Sequence, residues 1–586
     1  MGVVSNMKPF YVIGFIIAVR LASVFLVQTW FVPDEYWQSL EVAHKLVFGY
    51  GSLTWEWTSG IRSYLQPAFI AGVYKVLELL TIDHAELLIL VPRILQALLS
   101  AAADYSFYKW SGCHKWALFL VLTQWFWFYS ATRTLVNTTE ASLITIALAR
   151  FPFTPGQPKD NGWLCLAALS CAVRPTAAII WMPLCVYNIV TSENKKRLIG
   201  LFYVPIGLSI LGLSTLVDSY FHGELIFTPY EFLKLNVLNE IGSFYGSEPW
   251  YWYFAIGFPT ILGINLLPLL WSSVEVLRDR EAFRTQSLLL FVIVFTLSVY
   301  STLPHKEFRF ILSLIPMALF ITQDTISRWS RKAKEVWVYL LFAVLLLGSV
   351  APIGYFSLIH QRGVMDAMPI LRDIADKHPA NTSLLFLMPC HSTPLYSHLH
   401  VNIPVRFLTC EPNLSGKPDY KDEADQFFEE PLRWFQREYL NQQVGEGGRK
   451  SKLPSHLITF DSLAPKISNI LAYYNPIHTL FHSDVSCSIH NTVEPPGRGS
   501  NKPQKFDFRG NLQYFYEFIS SRYLNLEGRL RRDAAETFDL NEIYRNFMNF
   551  LRISKFEEPA AAVINRKNLI FADICGSFTN LFRVGF

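Results

Sequence analysis

Eleven predominantly apolar stretches fill most of the first 358 positions of this chain, at roughly 10–31, 65–82, 85–104, 116–131, 134–150, 163–187, 198–217, 250–271, 286–303, 309–325 and 336–358. About 20 apolar residues in an α-helix cross a hydrocarbon core, and an irregular chain cannot, because no water satisfies its backbone there. The pattern therefore predicts a multi-pass α-helical membrane protein with about 11 spans. Composition points the same way: 51% of the 586 residues are hydrophobic and only 17% are charged, and the mean hydropathy is +0.24, off the profile of soluble domains. The first apolar run is long for a signal-peptide core and lacks a small-residue cleavage site, so it reads as a retained span. The net charge of +4 is scattered along the chain, which leaves no basic track for nucleic acid.

Three short loops carry basic clusters: Lys195, Lys196 and Arg197; Arg278, Arg280 and Arg284; and Arg328, Arg331, Lys332 and Lys334. Lys and Arg are retained on the cytoplasmic side, and an even number of spans separates successive clusters, so one orientation satisfies all three. By the same parity the segment after the first span, loop 218–249, the tip 301–311 and everything beyond 358 share the opposite side. Sequons at Asn381 and Asn413 fall in that compartment, whereas Asn137 sits at a span end and is expected to be unmodified.

Beyond the last span the chain turns polar, and short β-rich runs ("SLLFLMPC", "PVRFLTC", "HLITF", "HTLFHS") alternate with helix-like stretches. This predicts a small α/β domain over 359–490, behind a membrane domain over 1–358 whose first extramembrane loop covers 32–64. Residues 491–586 read as a linker and a tail to which no role is assigned. Eight cysteines in so long a chain make no disulfide scaffold, and no CxxC pair suggests zinc. Cys113, Cys165, Cys171 and Cys185 lie in or beside spans, while Cys390 and Cys410 end strand-like runs and are the pair to consider for a bridge.

Two extramembrane constellations carry chemistry. Asp34 and Glu35 open a stretch with apolar and aromatic residues at helical spacing (Trp37, Leu40, His44, Val47), which suits a helix lying on the membrane surface. The bland reading of such a pair is a solvated helix cap; the functional one places carboxylates where a lipid headgroup resides. The tip "STLPHKEFRFI" then packs His305, Lys306, Glu307 and Arg309 between two apolar runs, either as interfacial anchors or as cations for a lipid phosphate. Among ionisable residues in or near spans, Arg133 and Glu140 share a helix face at i and i+7 and are expected to pair. Arg174 has no acidic neighbour in its own segment and is left open to an external anion, with Asp104 and Arg93 also at span positions. His305, Glu307, Asp34 and Glu35 together have the donor types of a hard-cation site, but no DxD motif stands in an extramembrane loop, and no metal is expected.

The segments "PDEYWQSLEVAHKLVFGYGSLTWEW", "SATRTLVNTTE", "AVRPTAA" and "HKEFRFI" together resemble the dolichyl-phosphate-mannose-dependent mannosyltransferases of glycosyltransferase family 22, and within them the members that elongate the GPI-anchor precursor. The resemblance covers about residues 25–490, with one departure: Val32 stands where the family pattern has a histidine before "PDE". It implies a C-type glycosyltransferase fold in the endoplasmic reticulum membrane, with a lumenal active site and membrane-parallel helices in a large first lumenal loop. It also implies dolichyl-phosphate mannose as donor, no further cofactor, a GPI precursor carrying two mannoses as acceptor, and an α1,2 product. Because the donor sugar is β-linked, a single inverting displacement is expected, needing one base and a cationic cradle for the leaving phosphate. Asp34 is the candidate base, with Glu35 second. His305, Lys306, Arg309 and Arg174 are the candidate phosphate ligands, and Glu307, Arg133 and Glu140 are candidate supports. Trp55, Trp57, Tyr245 and Trp250 are read mainly as interfacial anchors. Two other readings stay open at this stage: a mannosyltransferase acting on the dolichol-linked oligosaccharide, and a lipid transporter. Neither the acceptor-reading groups nor a partner subunit is legible.

Overall fold

A computed structural model describes residues 9–154, 161–414, 416–440, 453–483 and 485–492. Each of the eleven apolar stretches carries helix, but among the described residues seven helices are long and apolar enough to cross a membrane: Pro9–Leu26, Ala85–Trp110, Lys195–His222, Tyr253–Arg278, Arg284–Ser301, Phe308–Ser330 and Glu335–Lys377. The remaining four stretches form shorter or interrupted helices. Leu65–Leu79 and Val136–Leu148 are each under 16 residues. Lys115–Thr123 and Trp125–Ser130 are divided at Gln124, whose extended backbone lets its side chain accept from Trp127 N at 2.5 Å. Gly162–Val173 and Ala177–Thr191 are divided at Arg174, which is also extended (φ −146°, ψ 110°), because a residue preceding a proline is driven out of the helical region and Pro175 follows it. Such breaks are tolerated at membrane depth only inside protein, and both lie against the buried core. Helix Phe308–Ser330 is the most enclosed of the long ones, while Lys195–His222 and Glu335–Lys377 keep most of their surface outward.

The first loop is more deeply buried than a surface helix would be. From Tyr36 to His44 every residue is buried, and the helix Glu41–Phe48 stops at Gly49 in the left-handed conformation (φ 79°) that ends helices. Trp30, Tyr36, Trp37, Leu40 and Ala43 share one apolar core with Ile70, Tyr74 and Leu88 from the membrane helices and with Met368, Leu371, Phe386 and Leu399 from the C-terminal part. The tryptophans read from sequence as anchors are accordingly corrected: Trp55 and Trp57 are buried, and only Trp250 is largely exposed. Burying so much aromatic surface stabilises the loop by more than interfacial anchoring would.

The C-terminal part contains a five-stranded sheet in the order β2–β1–β3–β5–β4, with β1 Leu384–Leu387, β2 Val405–Phe407, β3 His456–Phe460, β4 Tyr474–Phe481 and β5 Ser486–Thr492. β1 pairs in parallel with β2 and β3, while β5 is antiparallel to both β3 and β4. The four β-rich runs expected from sequence are β1 to β4; β5 was not foreseen, its "SCSIHNT" being too polar to stand out. Alternation along β1 sends Leu384 and Phe386 into the core shared with the first loop, and Leu385 and Leu387 against Phe427, Trp434 and Phe435 on the other face. Cys390 and Cys410, following the adjacent parallel strands β1 and β2, form the expected disulfide with Cα atoms 5.9 Å apart. Of the linker and tail expected over 491–586, Asn491 and Thr492 instead end β5, and the remainder lies outside the described residues.

Glu41 fastens the first loop to this sheet-bearing part. Its buried carboxylate accepts from Leu395 N at 2.7 Å, Ser397 N at 3.2 Å and Ser397 Oγ at 2.5 Å. Burial raises its pKa, partly offset by those hydrogen bonds. The four segments assigned by charge parity to one side thus meet: the first loop bonds to the sheet part here, and Tyr245 of loop 218–249 accepts from Trp55 Nε1 at 2.6 Å while donating to Cys410 O at 3.1 Å. The tip joins them through Arg309 and Asp34.

Candidate active site

Adjacent carboxylates in a helical start point in different directions, and Asp34 and Glu35 are separated by this. Glu35 turns into the core, where its Oε2 lies 2.6 Å from Arg133 Nη1. Arg133 also donates to Thr29 O at 2.9 Å and Tyr129 O at 3.1 Å, and its guanidinium sits 4.2 Å from the Tyr129 ring centre. This is a sealed pair. It corrects the expected Arg133–Glu140 pairing, since Glu140 instead holds Arg174 Nη1 at 2.8 Å. The break before Pro175 delivers Arg174 there, so Arg174 has an acidic partner from another segment. Asp34 turns the other way, and its side chain keeps 18% exposure.

The tip sorts its residues by an extended backbone at Glu307 followed by a 3₁₀ helix from Phe308 that carries Arg309. Glu307 is extended (φ −139°, ψ 152°), so neighbours alternate in direction. Lys306 points into a cage of carbonyls, 2.5 Å from Leu303 O, 2.9 Å from Glu248 O and 3.4 Å from Pro304 O, and burial lowers its pKa. Three acceptors saturate the three donors of an ammonium, so Lys306 braces the tip instead of facing Asp34. His305, Glu307 and Arg309 join instead: Arg309 Nε and Nη2 grip Glu307 at 2.6 and 2.5 Å, and His305 Nε2 lies 3.0 Å from Glu307 Oε1. Arg309 Nη1 also binds Asp34.

Arg62 and Glu56, which sequence reasoning missed, extend the set. Arg62 Nη2 is 2.5 Å from Glu56 Oε1 and 3.9 Å from Asp34 Oδ2. The turn that delivers Arg62 needs glycine: Gly60 has φ 64°, and a Cβ there would stand 1.9 Å from Ile226 Cδ1. Six side chains therefore alternate in sign in one line: Glu56, Arg62, Asp34, Arg309, Glu307 and His305. Burial alone would raise the Glu307 pKa, but Arg309 and the His305 bond hold it well below the usual carboxylate range. Burial alone would lower that of His305, but its hydrogen bond and attraction to Glu307 raise it. Both guanidinium groups of Arg174 and Arg309 lie within 5.3 Å of the Phe310 ring centre.

The sheet part adds uncharged rings within electrostatic reach of Asp34. The His391 ring lies 4.4 Å from Trp37, Phe407 lies 5.0 Å from Trp37, and Trp37 Nε1 donates to Thr393 O at 3.0 Å. Cys390, His391 and Cys410 cluster in the way metal ligands do, but their sulfurs are bonded to each other and offer no thiolate. Around Asp34 the arrangement has what proton abstraction beside an anionic leaving group requires: a partly exposed carboxylate, an arginine in contact with it, and a histidine whose pKa is raised by its bond to Glu307.

Residues 11–400 match the model of the Alg9-like mannosyltransferase family. The chain is 52% identical to GPI mannosyltransferase 3 of Drosophila melanogaster over 82% of this chain and 85% of that protein. It is 44% identical to GPI alpha-1,2-mannosyltransferase 3 of Danio rerio over 78% and 83%. The human protein of the latter name is 41% identical over 81% and 84%. In fold it resembles ArnT from Cupriavidus metallidurans, solved bound to undecaprenyl phosphate, with a TM-score of 0.52 over 83% of this chain and 98% of that one at 14% identity, as the expectation of a C-type membrane glycosyltransferase requires. With a family model spanning most of its membrane part and relatives matched over four-fifths of its length, the chain belongs to the Alg9-like mannosyltransferase family.

Proposed function

We propose that this chain is the GPI-anchor α-1,2-mannosyltransferase of its source, transferring mannose from dolichyl-phosphate mannose to the second mannose of a GPI precursor. Support comes from the relatives of Danio rerio and human named GPI alpha-1,2-mannosyltransferase 3, and the observation that carries the mechanism is the contact between Asp34 and Arg309. Asp34 accepts the proton of the acceptor hydroxyl as that oxygen bonds to C1 of mannose. The C1–O bond to phosphate breaks with inversion, and the pair of electrons leaves on dolichyl phosphate, whose added negative charge is met by Arg309 and by His305, whose pKa is raised beside Glu307. The donor phosphate and Asp34 compete for the same guanidinium. Docking of the phosphate on Arg309 thus frees Asp34 to act as base, which ties base activation to donor binding.

Glu35 is assigned to holding Arg133, Lys306 to bracing the tip, and Arg174 to positioning Phe310 and Arg309 from behind, with Glu140 as its counter-ion. The reaction is proposed to need no cofactor beyond the lipid donor, and to take place at the lumenal face of the endoplasmic reticulum membrane. Purified protein given dolichyl-phosphate mannose and two acceptors, a dimannosyl GPI fragment and a dolichol-linked oligosaccharide, tests the reading. Transfer to the GPI fragment is expected. Transfer to the oligosaccharide alone would assign the chain to N-glycosylation, and transfer to neither would remove the enzymatic reading.

A further inference from the structure

His391 has a surrounding that its own domain does not explain. Its backbone is left-handed (φ 57°), a conformation that non-glycine residues seldom hold and that concentrates at functional sites. The residue before it is tied by the disulfide to Cys410, and Cys410 O in turn accepts from Tyr245. The ring packs edge-on against Trp37 at 4.4 Å and near Phe407 at 5.8 Å. Its Nδ1 lies 3.8 Å from Cys410 Sγ, and among the described residues nothing bonds to its Nε2. Burial pushes the imidazole pKa down to about 4, against the opposing pull of the Asp34 charge, so the ring is neutral near pH 7.

A neutral imidazole edge framed by aromatic rings is chemistry for uncharged hydroxyls, whereas a phosphate would select the Arg309 guanidinium bound to Asp34. Inversion also demands that the attacking hydroxyl and the leaving phosphate lie on opposite sides of the transferred sugar. Arg309 and His305 mark the phosphate side, and His391, which feels the Asp34 charge, makes no bond or ring contact with either of them among the described residues. We propose that His391 and the disulfide-held turn around it form the binding subsite for the terminal sugar of the acceptor glycan, with Nε2 hydrogen-bonded to one of its hydroxyls. This deepens the proposed reaction and rests on that reading for the placement of Asp34 as base.

The test uses the full-length protein, with a soluble dimannosyl glycan as probe in a direct binding measurement and as acceptor in transfer assays, comparing His391→Phe, which keeps a ring without polar atoms, with His391→Gln, which keeps a hydrogen-bonding edge. Loss of one neutral hydrogen bond predicts roughly a three- to tenfold weaker glycan affinity and higher acceptor KM in His391→Phe. Donor KM should not move, and His391→Gln should recover part of the loss. If His391→Phe does not yield folded protein, His391→Gln must by itself show a raised acceptor KM at unchanged donor KM. Wild-type transfer with unchanged acceptor KM in the variants would overturn the subsite and leave the proposed function standing. Equal rises in both KM values would reassign His391 to structure. Glycan binding that is lost in His391→Phe, in a protein that transfers nothing, would keep the subsite and remove the reaction. Absence of glycan binding in the wild type would overturn it.

Discussion

Arg309→Lys probes the junction between base and phosphate without changing net charge. In the wild type, three guanidinium nitrogens are engaged: Nε and Nη2 on Glu307 at 2.6 and 2.5 Å, and Nη1 on Asp34. A lysine ammonium is a single point donor that cannot span both carboxylates in this fork. Glu307 keeps His305 at 3.0 Å and Asp34 keeps Arg62 at 3.9 Å, and both carboxylates are partly exposed, so folding should lose only about 1–2 kcal/mol, less than the 3–5 kcal/mol typical of breaking a fully buried pair. Transition-state stabilisation is more sensitive, because one preorganised donor on a developing anion contributes about 3–4 kcal/mol, or 10²–10³ in rate. With charge retained, a fall in kcat of roughly 10- to 100-fold is expected, together with a higher KM for dolichyl-phosphate mannose and an unchanged KM for the acceptor. The assay is steady-state transfer in detergent, varying each substrate in turn, with thermal unfolding measured in parallel. To separate the ion pair from the chemistry, Arg309→Ala is combined with Glu307→Gln, which removes both partners, so stability should recover towards wild type while transfer stays lost. Wild-type donor dependence in Arg309→Lys, or activity that recovers with stability in the double variant, would refute the assignment of Arg309 to the phosphate.

Glu35→Gln should leave Arg133 buried without its counter-charge and lower stability by about 3 kcal/mol or more, read as a fall in unfolding temperature and yield, while whatever protein folds keeps near-normal substrate KM values. The His305–Glu307 pair sets a pH dependence. The His305 pKa is raised in the fold, so its contribution is complete below about pH 6.5, the value of a free histidine, and fades as pH rises through the folded value. That of Glu307 is depressed, so its contribution is present above about pH 4.3 and fades only as pH falls through the folded value. Donor KM should therefore rise on the alkaline side in the wild type and become flat with pH in His305→Asn; parallel profiles would argue against a protonated His305 at the phosphate.

Much of the site was legible as types of residue and little of it as pairs. The carboxylates of the first loop and the cations of the tip stand out because charge beside apolar stretches is costly. Which charge meets which is a tertiary matter: Arg133 and Glu140 share a helix face by spacing, yet Arg133 meets Glu35 from 98 positions away and Arg174 takes Glu140. The proline after Arg174 was the one local sign that its segment breaks. Lys306 was expected among the phosphate ligands because composition ignores the alternation of an extended chain, which turns it away from its neighbours. The tryptophans of the first loop look like interfacial anchors until a second layer, the sheet part, is laid over them. Arg62 and His391 carried no signal of their own, since one depends on the turn at Gly60 and the other on a disulfide that closes in space. The disulfide itself was legible, because strand-like runs ending in Cys390 and Cys410 suggested neighbouring strands.

The most direct test of the account is mannose transfer by purified Asp34→Asn protein with dolichyl-phosphate mannose and a dimannosyl GPI fragment. Asparagine keeps the size of the side chain and leaves Arg309 its grip on Glu307, so the protein should fold and bind donor. Losing a positioned base should lower kcat by about 10²- to 10⁴-fold. Transfer at near the wild-type rate would contradict the assignment of Asp34 as the base and, with it, the mechanism built on its contact with Arg309.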